Sequence, residues 1–280
     1  MRIAETIDEA RSIVNRARTN GETIGMVPTM GAIHEGHLSL VRRAVQSDDF
    51  VVVSVFVNPT QFGPGEDYEE YPRQLERDAQ VLQAEGANLI FSPTTREMYP
   101  PDYCTYVNVT DITEVLCGRY RPGHFRGVTT VVTKLFNIIQ PDRAYFGQKD
   151  YQQYIVLKQM TADLNIPVEV VPCETVREPD GLAVSSRNDY LTPQQREAAP
   201  TIYQGLQEGA AVIQQGGSAE EAKEIIADRI EQEPLLTLQY VEARDPATLK
   251  EPEHEGPPLL LAVAAFAGDT RLIDNIVIEG

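Results

Sequence analysis

"TIGMVPTMGAIHEGHLSLVRRAVQSDDFVVVSVFV" (Thr23 to Val57) decides the fold. Residues 23–29 are β-branched and apolar, 37–46 carry apolar side chains at helical spacing, and 50–57 form an unbroken apolar run. A strand without polar alternation is covered on both faces, as strands of a parallel sheet are. Strand, helix and second buried strand make one βαβ unit, and such a crossover is right-handed.

The same grammar extends outward. Helices are predicted over 71–86, closed by Gly86, over 127–142, stopped by Pro141, and over 149–164; strands are predicted over 87–93, 143–147 and 166–172. Ahead of the quoted stretch, Thr6 and Glu9 fit a capping box, Ile7, Ala10 and Val14 share a helix face, and Asn20-Gly21 supplies a stop. The pattern is α/β, a doubly wound parallel sheet over residues 1–175. Beyond it come helices at 193–215 and 218–232, then strand-like runs at 235–243, 258–267 and 270–279. Short connections suit an antiparallel sheet, so 176–280 reads as a smaller α+β domain. Residues 250–258 read as a solvated loop and His254 within it as inert.

Of the 280 residues, 42% are hydrophobic and 24% charged, ordinary for a soluble globular chain. A net charge of −18 argues against nucleic-acid and anionic-membrane partners. No apolar run approaches the ~20 residues of a membrane span, and charges from Arg2 onward exclude a signal peptide. The three cysteines, Cys104, Cys117 and Cys173, lack metal-site spacing and read as reduced thiols of a cytoplasmic protein. Only five of the 24 basic residues are lysine, which fits a salt-adapted surface or a merely acidic one.

Half of the chain's four histidines, His34 and His37, stand in the first strand-to-helix turn. In a doubly wound sheet, ligands bind beyond the carboxyl ends of the strands, beside helix N-termini that attract anions. Gly31 and Gly36 let backbone approach a ligand, and imidazoles at i, i+3 face one spot if the turn is helical. Two ring N–H groups there suit charge developing on a phosphate; a zinc pair or two surface histidines are the other readings. At the end of the second strand, the Asn58 and Gln61 amides suit a substrate with hydroxyls and a carboxylate, or a plain turn. Gly147, Lys149 and Asp150 follow a later strand and suit phosphate and ribose. Ser185, Ser186 and Arg187 suit a phosphate or a capped loop. Asp78 reads as a solvated-face helical carboxylate. Arg121, in the strongest basic cluster, is a candidate to face the site, and His124 reads as structural.

His34-Glu35-Gly36-His37 after a first strand resembles the H-x-G-H signature of the nucleotidyltransferase and class I aminoacyl-tRNA synthetase superfamily. The fuller string "VPTMGAIHEGHLSL" resembles the pantoate–β-alanine ligase family. So do "FVNPTQFGPGED", "YPR", "RPGHFRGVTTVVTKLFNIIQPDRAYFGQKDYQQ", "REPDGLAVSSRNDYL" and the tail "RLIDN". These blocks occur in family order and cover most of residues 24–191. One departure is Val184, where many relatives have Met before Ser-Ser-Arg.

The resemblance implies a Rossmann-like domain over 1–175 that binds ATP and pantoate, with 176–280 as a lid. It implies ATP-dependent condensation of pantoate with β-alanine to pantothenate, AMP and pyrophosphate through a pantoyl adenylate. It places Met30, Gly31, Ala32, Ile33, His34, Glu35, Gly36 and His37 against ATP, along with Gly147, Gln148, Lys149, Asp150, Val176, Val184, Ser185, Ser186 and Arg187. His34, His37 and Lys149 are the implied catalytic groups. Gln61 and Gln153, beside Asn58, would take pantoate, Gln61 also β-alanine, and Asp78 would hold Mg²⁺. A cytoplasmic homodimer is implied. The rivals are a transferase that leaves the nucleotide on its product and a non-catalytic nucleotide-binding regulator; the latter would be expected to have lost a phosphate-binding block.

Overall fold

A computed structural model describes residues 1–254 and 256–280. Glu255, in the loop read at 250–258, lies outside the described residues, and His254 beside it is exposed. The elements run β1 (Arg2–Ala4), α1 (Ile7–Thr19), β2 (Ile24–Thr29), α2 (Glu35–Ser47), β3 (Phe50–Val55), α3 (Leu75–Ala84), β4 (Leu89–Phe91) and α4 (Thr95–Met98). Next come α5 (Leu116–Tyr120), α6 (His124–Ile139), β5 (Arg143–Gly147), α7 (Tyr151–Asp163) and β6 (Glu169–Cys173). The chain closes with α8 (Pro193–Ala198), α9 (Thr201–Gln214), α10 (Ala219–Glu231), β7 (Leu236–Arg244), β8 (Leu259–Ala267) and β9 (Thr270–Ile278).

The chain divides into two units. Residues 1–110, 120–148 and 156–174 make the first; 111–119, 149–155 and 175–280 make the second. Residues 111–119 and 149–155, assigned from sequence to the first domain, thus cluster with the second.

Six strands among the described residues of the first unit form a parallel sheet in the order β1-β4-β3-β2-β5-β6. From β2 the chain steps outward through β3 to β4, then returns to place β5 on the other side of β2, so the order reverses between β2 and β5. Both faces are covered. Val51 and Val53 pack with Leu40, Val41 and Ala44 of α2 and Leu82 of α3. Val52 packs with Ile24, Met26, Val14 of α1 and Val128, Leu135 and Phe136 of α6. The three valines are each at most 1% exposed. Burying one valine side chain contributes about 1.5–3 kcal/mol, which is why the run 50–57 needs no polar alternation.

Local signals account for most boundaries. The Thr6–Glu9 capping box forms, with Glu9 N–H donating to Thr6 Oγ1 and Thr6 N–H to Glu9 Oε2, both at 3.2 Å. Three departures have physical causes. β1 is too short for periodicity to reveal. α3 starts at Leu75 because the Arg73 guanidinium donates to the carbonyls of Tyr68, Glu69 and Tyr71 and holds 68–73 as a loop. α6 starts earlier, at His124, and ends at Ile139 because Gln140 is left-handed (φ 52°), before Pro141 is reached.

In the second unit, β7, β8 and β9 form an antiparallel sheet with β8 central. Ile202, Leu206, Ala210 and Ile213 of α9 and Ile226 and Ile230 of α10 pack with Leu259, Leu261, Val263 and Ala265 of β8. No helix among the described residues is long and apolar enough to cross a membrane.

Candidate active site

Beyond Thr29 the chain makes a turn fixed at nearly every amide. Gly31 N–H donates to Thr29 Oγ1 (3.2 Å), and that hydroxyl donates to Ser54 O on β3 (2.7 Å). Ala32 N–H and Ile33 N–H donate to the two oxygens of Asp78, at 3.0 and 2.9 Å. Gly31 and Ala32 are both left-handed, with φ of 85° and 51°. A Cβ on Gly31 would also stand 3.0 Å from Asp78 Oδ2 and 3.1 Å from Val55 Cγ1, so both backbone and packing favour glycine there.

The turn delivers His34 to the N-cap of α2 and His37 to its first turn. Their rings stack at 4.0 Å, 24° from parallel, and His34 N–H makes a long contact of 3.5 Å to His37 Nδ1. Both imidazoles therefore stand at the free N–H end of a 13-residue helix, beyond the strand where the sheet order reverses. Glu35 spends its carboxylate on Arg42, which also pairs with Glu85 at 2.6 Å. Gly36 is in the first turn, its carbonyl accepting from Ser39 (2.8 Å).

Asp78 is 1% exposed, so its reading as a solvated-face carboxylate is corrected. Burial holds its pKa above the ordinary value against the pull of the two N–H donors. With Met30 and Gly31 it lines a cavity of about 250 Å³ at the carboxyl ends of β3 and β4. Each carboxylate oxygen keeps one lone pair after its N–H bond. No group of three or more His, Cys, Asp or Glu that could hold a metal ion occurs among the described residues. That donor set fits an ion that arrives on phosphate oxygens and takes one protein carboxylate, as Mg²⁺ does, rather than an all-protein cage.

Asn58 is 1% exposed, and its amide bonds to neighbouring residues. Nδ2 donates to Gln61 Oε1 (3.0 Å) and Gly127 O (3.2 Å), while Oδ1 accepts from Tyr99 Oη (2.8 Å) and Thr60 Oγ1 (2.9 Å). What this achieves is orientation: Gln61 Oε1 is tied down, and its Nε2 reaches the Met30 sulfur at 3.2 Å. Gly127 is obligatory, since a Cβ would lie 2.3 Å from Thr60 O. Arg121 makes a two-pronged pair with Glu66 (2.8 and 2.6 Å), and His124 Nδ1 lies 2.8 Å from Gln61 O.

At the end of β5, a Cβ on Gly147 would meet nothing within 4 Å, so the backbone is open to close approach. A 3-10 turn, Gln148–Asp150, follows. In the second unit, Lys149 Nζ lies 3.8 Å from Asp150 Oδ2, and Gln153 is half-buried on α7. Val176 and Val184 are brought together, Val184 N–H donating to Val176 O (3.0 Å). Ser185 caps the 3-10 turn Ser186–Tyr190, accepting from Arg187 N–H at 3.3 Å, and keeps its own O–H as a donor. The cap and the phosphate readings of Ser185 are compatible.

The family model described as Pantoate-beta-alanine ligase matches residues 2–277. The chain belongs to this family. It is 51% identical over 280 residues to the pantothenate synthetase of Acetivibrio thermocellus, covering 100% of each chain. It is 53% identical over 283 residues to that of Moorella thermoacetica, covering 100% of this chain and 99% of the relative. The crystal structure of the pantothenate synthetase from Thermus thermophilus superposes with a TM-score of 0.95 at 47% identity, covering 100% of both chains. The pantoate-beta-alanine ligase of Francisella tularensis, complexed with beta-gamma ATP and beta-alanine, superposes with a TM-score of 0.81 at 37% identity, covering 99% of this chain and 97% of that one. As a pantoate–β-alanine ligase, the chain is an enzyme that forms pantothenate.

Several residues of this ligase escaped the sequence reading. Ser54 and Tyr99 act through partners 25 and 41 residues away, and nothing local marks them. Thr29, Gly127, Asp274 and Asn275 lie within the family blocks, which assign them no role.

Proposed function

We propose that the chain makes pantothenate in two half-reactions with distinct roles for the turn and the downstream blocks. A carboxylate oxygen of pantoate attacks the α-phosphorus of ATP, and the bond to the bridging oxygen breaks to release pyrophosphate. The pantoyl adenylate is a mixed anhydride, so AMP is a good leaving group. The neutral amine of β-alanine then attacks the acyl carbon, AMP departs, and the amine proton is lost.

The observation that carries this reading is the stacked His34–His37 pair at the N-terminus of α2, at the sheet's switch point. Donors already fixed before the reaction need no reorganisation as charge grows on the phosphate. His34 and His37 would stabilise the in-line transition state, with His37 also a candidate proton donor. Met30, Gly31, Ala32 and Ile33, with Gly147, Gln148 and Asp150, would line the nucleotide, Val176 and Val184 near its base. Lys149, Ser185, Ser186 and Arg187 would hold the phosphates, the smaller domain serving as the lid. Gln61 and Gln153 would hold pantoate, Gln61 also β-alanine, and Asn58 would fix the Gln61 amide. Asp78 would hold Mg²⁺, which supplies neutralising charge to the phosphate oxygens. The ligand pair in the Francisella tularensis complex supports ATP and β-alanine as substrates. The free cysteines accord with a cytoplasmic setting, and a homodimer belongs to the same reading.

The test is stepwise. With Mg²⁺, ATP and pantoate the protein is expected to release pyrophosphate without amine; adding β-alanine then releases AMP. Pyrophosphate without later AMP would instead favour a transferase that keeps the nucleotide on its product.

A further inference from the structure

We infer that Asp274 and Asn275, neighbours on β9, are positioning residues that anchor both second-unit segments assigned to the phosphates. The inference rests on that assignment and explains why "RLIDN" stands more than 80 residues from any of them.

Asn275 is 8% exposed, and its Nδ2 donates to the carbonyl of Lys149 at 2.9 Å. The contact is to the backbone, so it fixes where the Lys149 side chain starts without engaging the ammonium. Asp274, 6% exposed, receives both prongs of the Arg177 guanidinium at 2.6 and 2.9 Å. Its Oδ1 also accepts from Asn275 N–H at 2.8 Å, so the two anchors are coupled.

Arg177 carries the link to the serines. It pairs across a bridge with Ala183 and donates to Gly181 O (3.1 Å), spanning a small hairpin closed by Glu178 N–H to Leu182 O (2.8 Å). Its guanidinium lies 3.6 Å over the Tyr203 ring, and a Cβ on Gly181 would stand 2.6 Å from that ring. The hairpin is therefore seated on α9 and tied to β9, and the segment leaving it is Val184-Ser185-Ser186-Arg187. One dipeptide thus sets the spacing between Lys149 and the Ser185–Arg187 segment. A bidentate arginine pair fixes orientation as well as distance, which a lysine could not.

Asn275→Asp keeps the shape but turns the donor to Lys149 O into a second acceptor. Pyrophosphate release would be measured against ATP and against pantoate, with urea denaturation of each variant. The KM for Mg·ATP is expected to rise roughly tenfold, the scale of one buried hydrogen bond, with the KM for pantoate unchanged. A merely structural lesion would lower the active fraction and move neither KM. Arg177→Lys tests the other arm in the same assay and is expected to shift the same KM. Unchanged KM for ATP in a folded Asn275→Asp or Arg177→Lys protein overturns the inference, as does an equal change for pantoate. Failure of the wild type to release pyrophosphate would overturn the assignment to phosphates instead.

Discussion

Two segments of this enzyme are assigned to the same triphosphate, and they are built differently. In residues 29–37, the amides of Gly31, Ala32 and Ile33 are held by Thr29 and by Asp78, 46 and 45 residues away from the last two. Residues 31–33 are buried. Residues 176–190 are mostly half-buried or exposed, and their backbone bonds are short in range: Val184 to Val176, Glu178 to Leu182, Asn188 to Ser185. In the first segment, geometry for chemistry and stability of the fold rest on the same hydrogen bonds. In the second they can be separated.

Substitutions sharpen or break that contrast. The largest effect is expected from His37→Ala, which removes a donor from the developing charge and should lower the rate of pyrophosphate release at least ~100-fold. A wild-type rate would remove the histidines from the chemistry. Asp78→Ala strands two buried N–H groups, each costing about 1–3 kcal/mol, so the urea midpoint and activity should fall together. Retained stability would show that the turn is not fixed as described. Arg187→Ala should raise the KM for ATP roughly tenfold while stability moves by less than ~1 kcal/mol. Parallel loss of both would erase the difference between the segments.

The smallest effect is a pH slope. Burial holds the Asp78 pKa above its ordinary value, so the folded chain keeps a proton that the unfolded chain has released. Its contribution is present below the ordinary carboxylate value and is lost as pH rises through the raised one. Asp78→Asn shifts stability by a constant but should flatten that slope, read as melting temperature in steps between about pH 4 and 6.

Much of this was legible because it is local. The Thr6–Glu9 box, the left-handed Gly21 after α1 and the apolar run at 50–57 act within a few residues or through one periodicity. The placement of His34 and His37 on one side of a helical turn follows from their spacing. The burial of Asp78 and Asn58 was not legible because it comes from partners that no window contains: the turn after β2, and Gly127 and Tyr99. The start of α6 was set by Gly123 at φ 84°, a stop-and-start that composition alone does not date. Family blocks supplied what local reasoning could not, and they supplied it without roles for Asp274 and Asn275.

The crevice beside β2 has a history in synthesis. β2 pairs with β5 through Gly25–Arg143 and Met26–Ala144, and Asp142 N–H donates to Ile24 O at 2.8 Å. A chain that ends within α6 carries His34 and His37 but lacks β5, the strand beside β2 at that crevice. The β2–β5 crevice is complete only once β5 has paired, and the apolar faces of the sheet, rather than a bound ligand, are what bring that strand in.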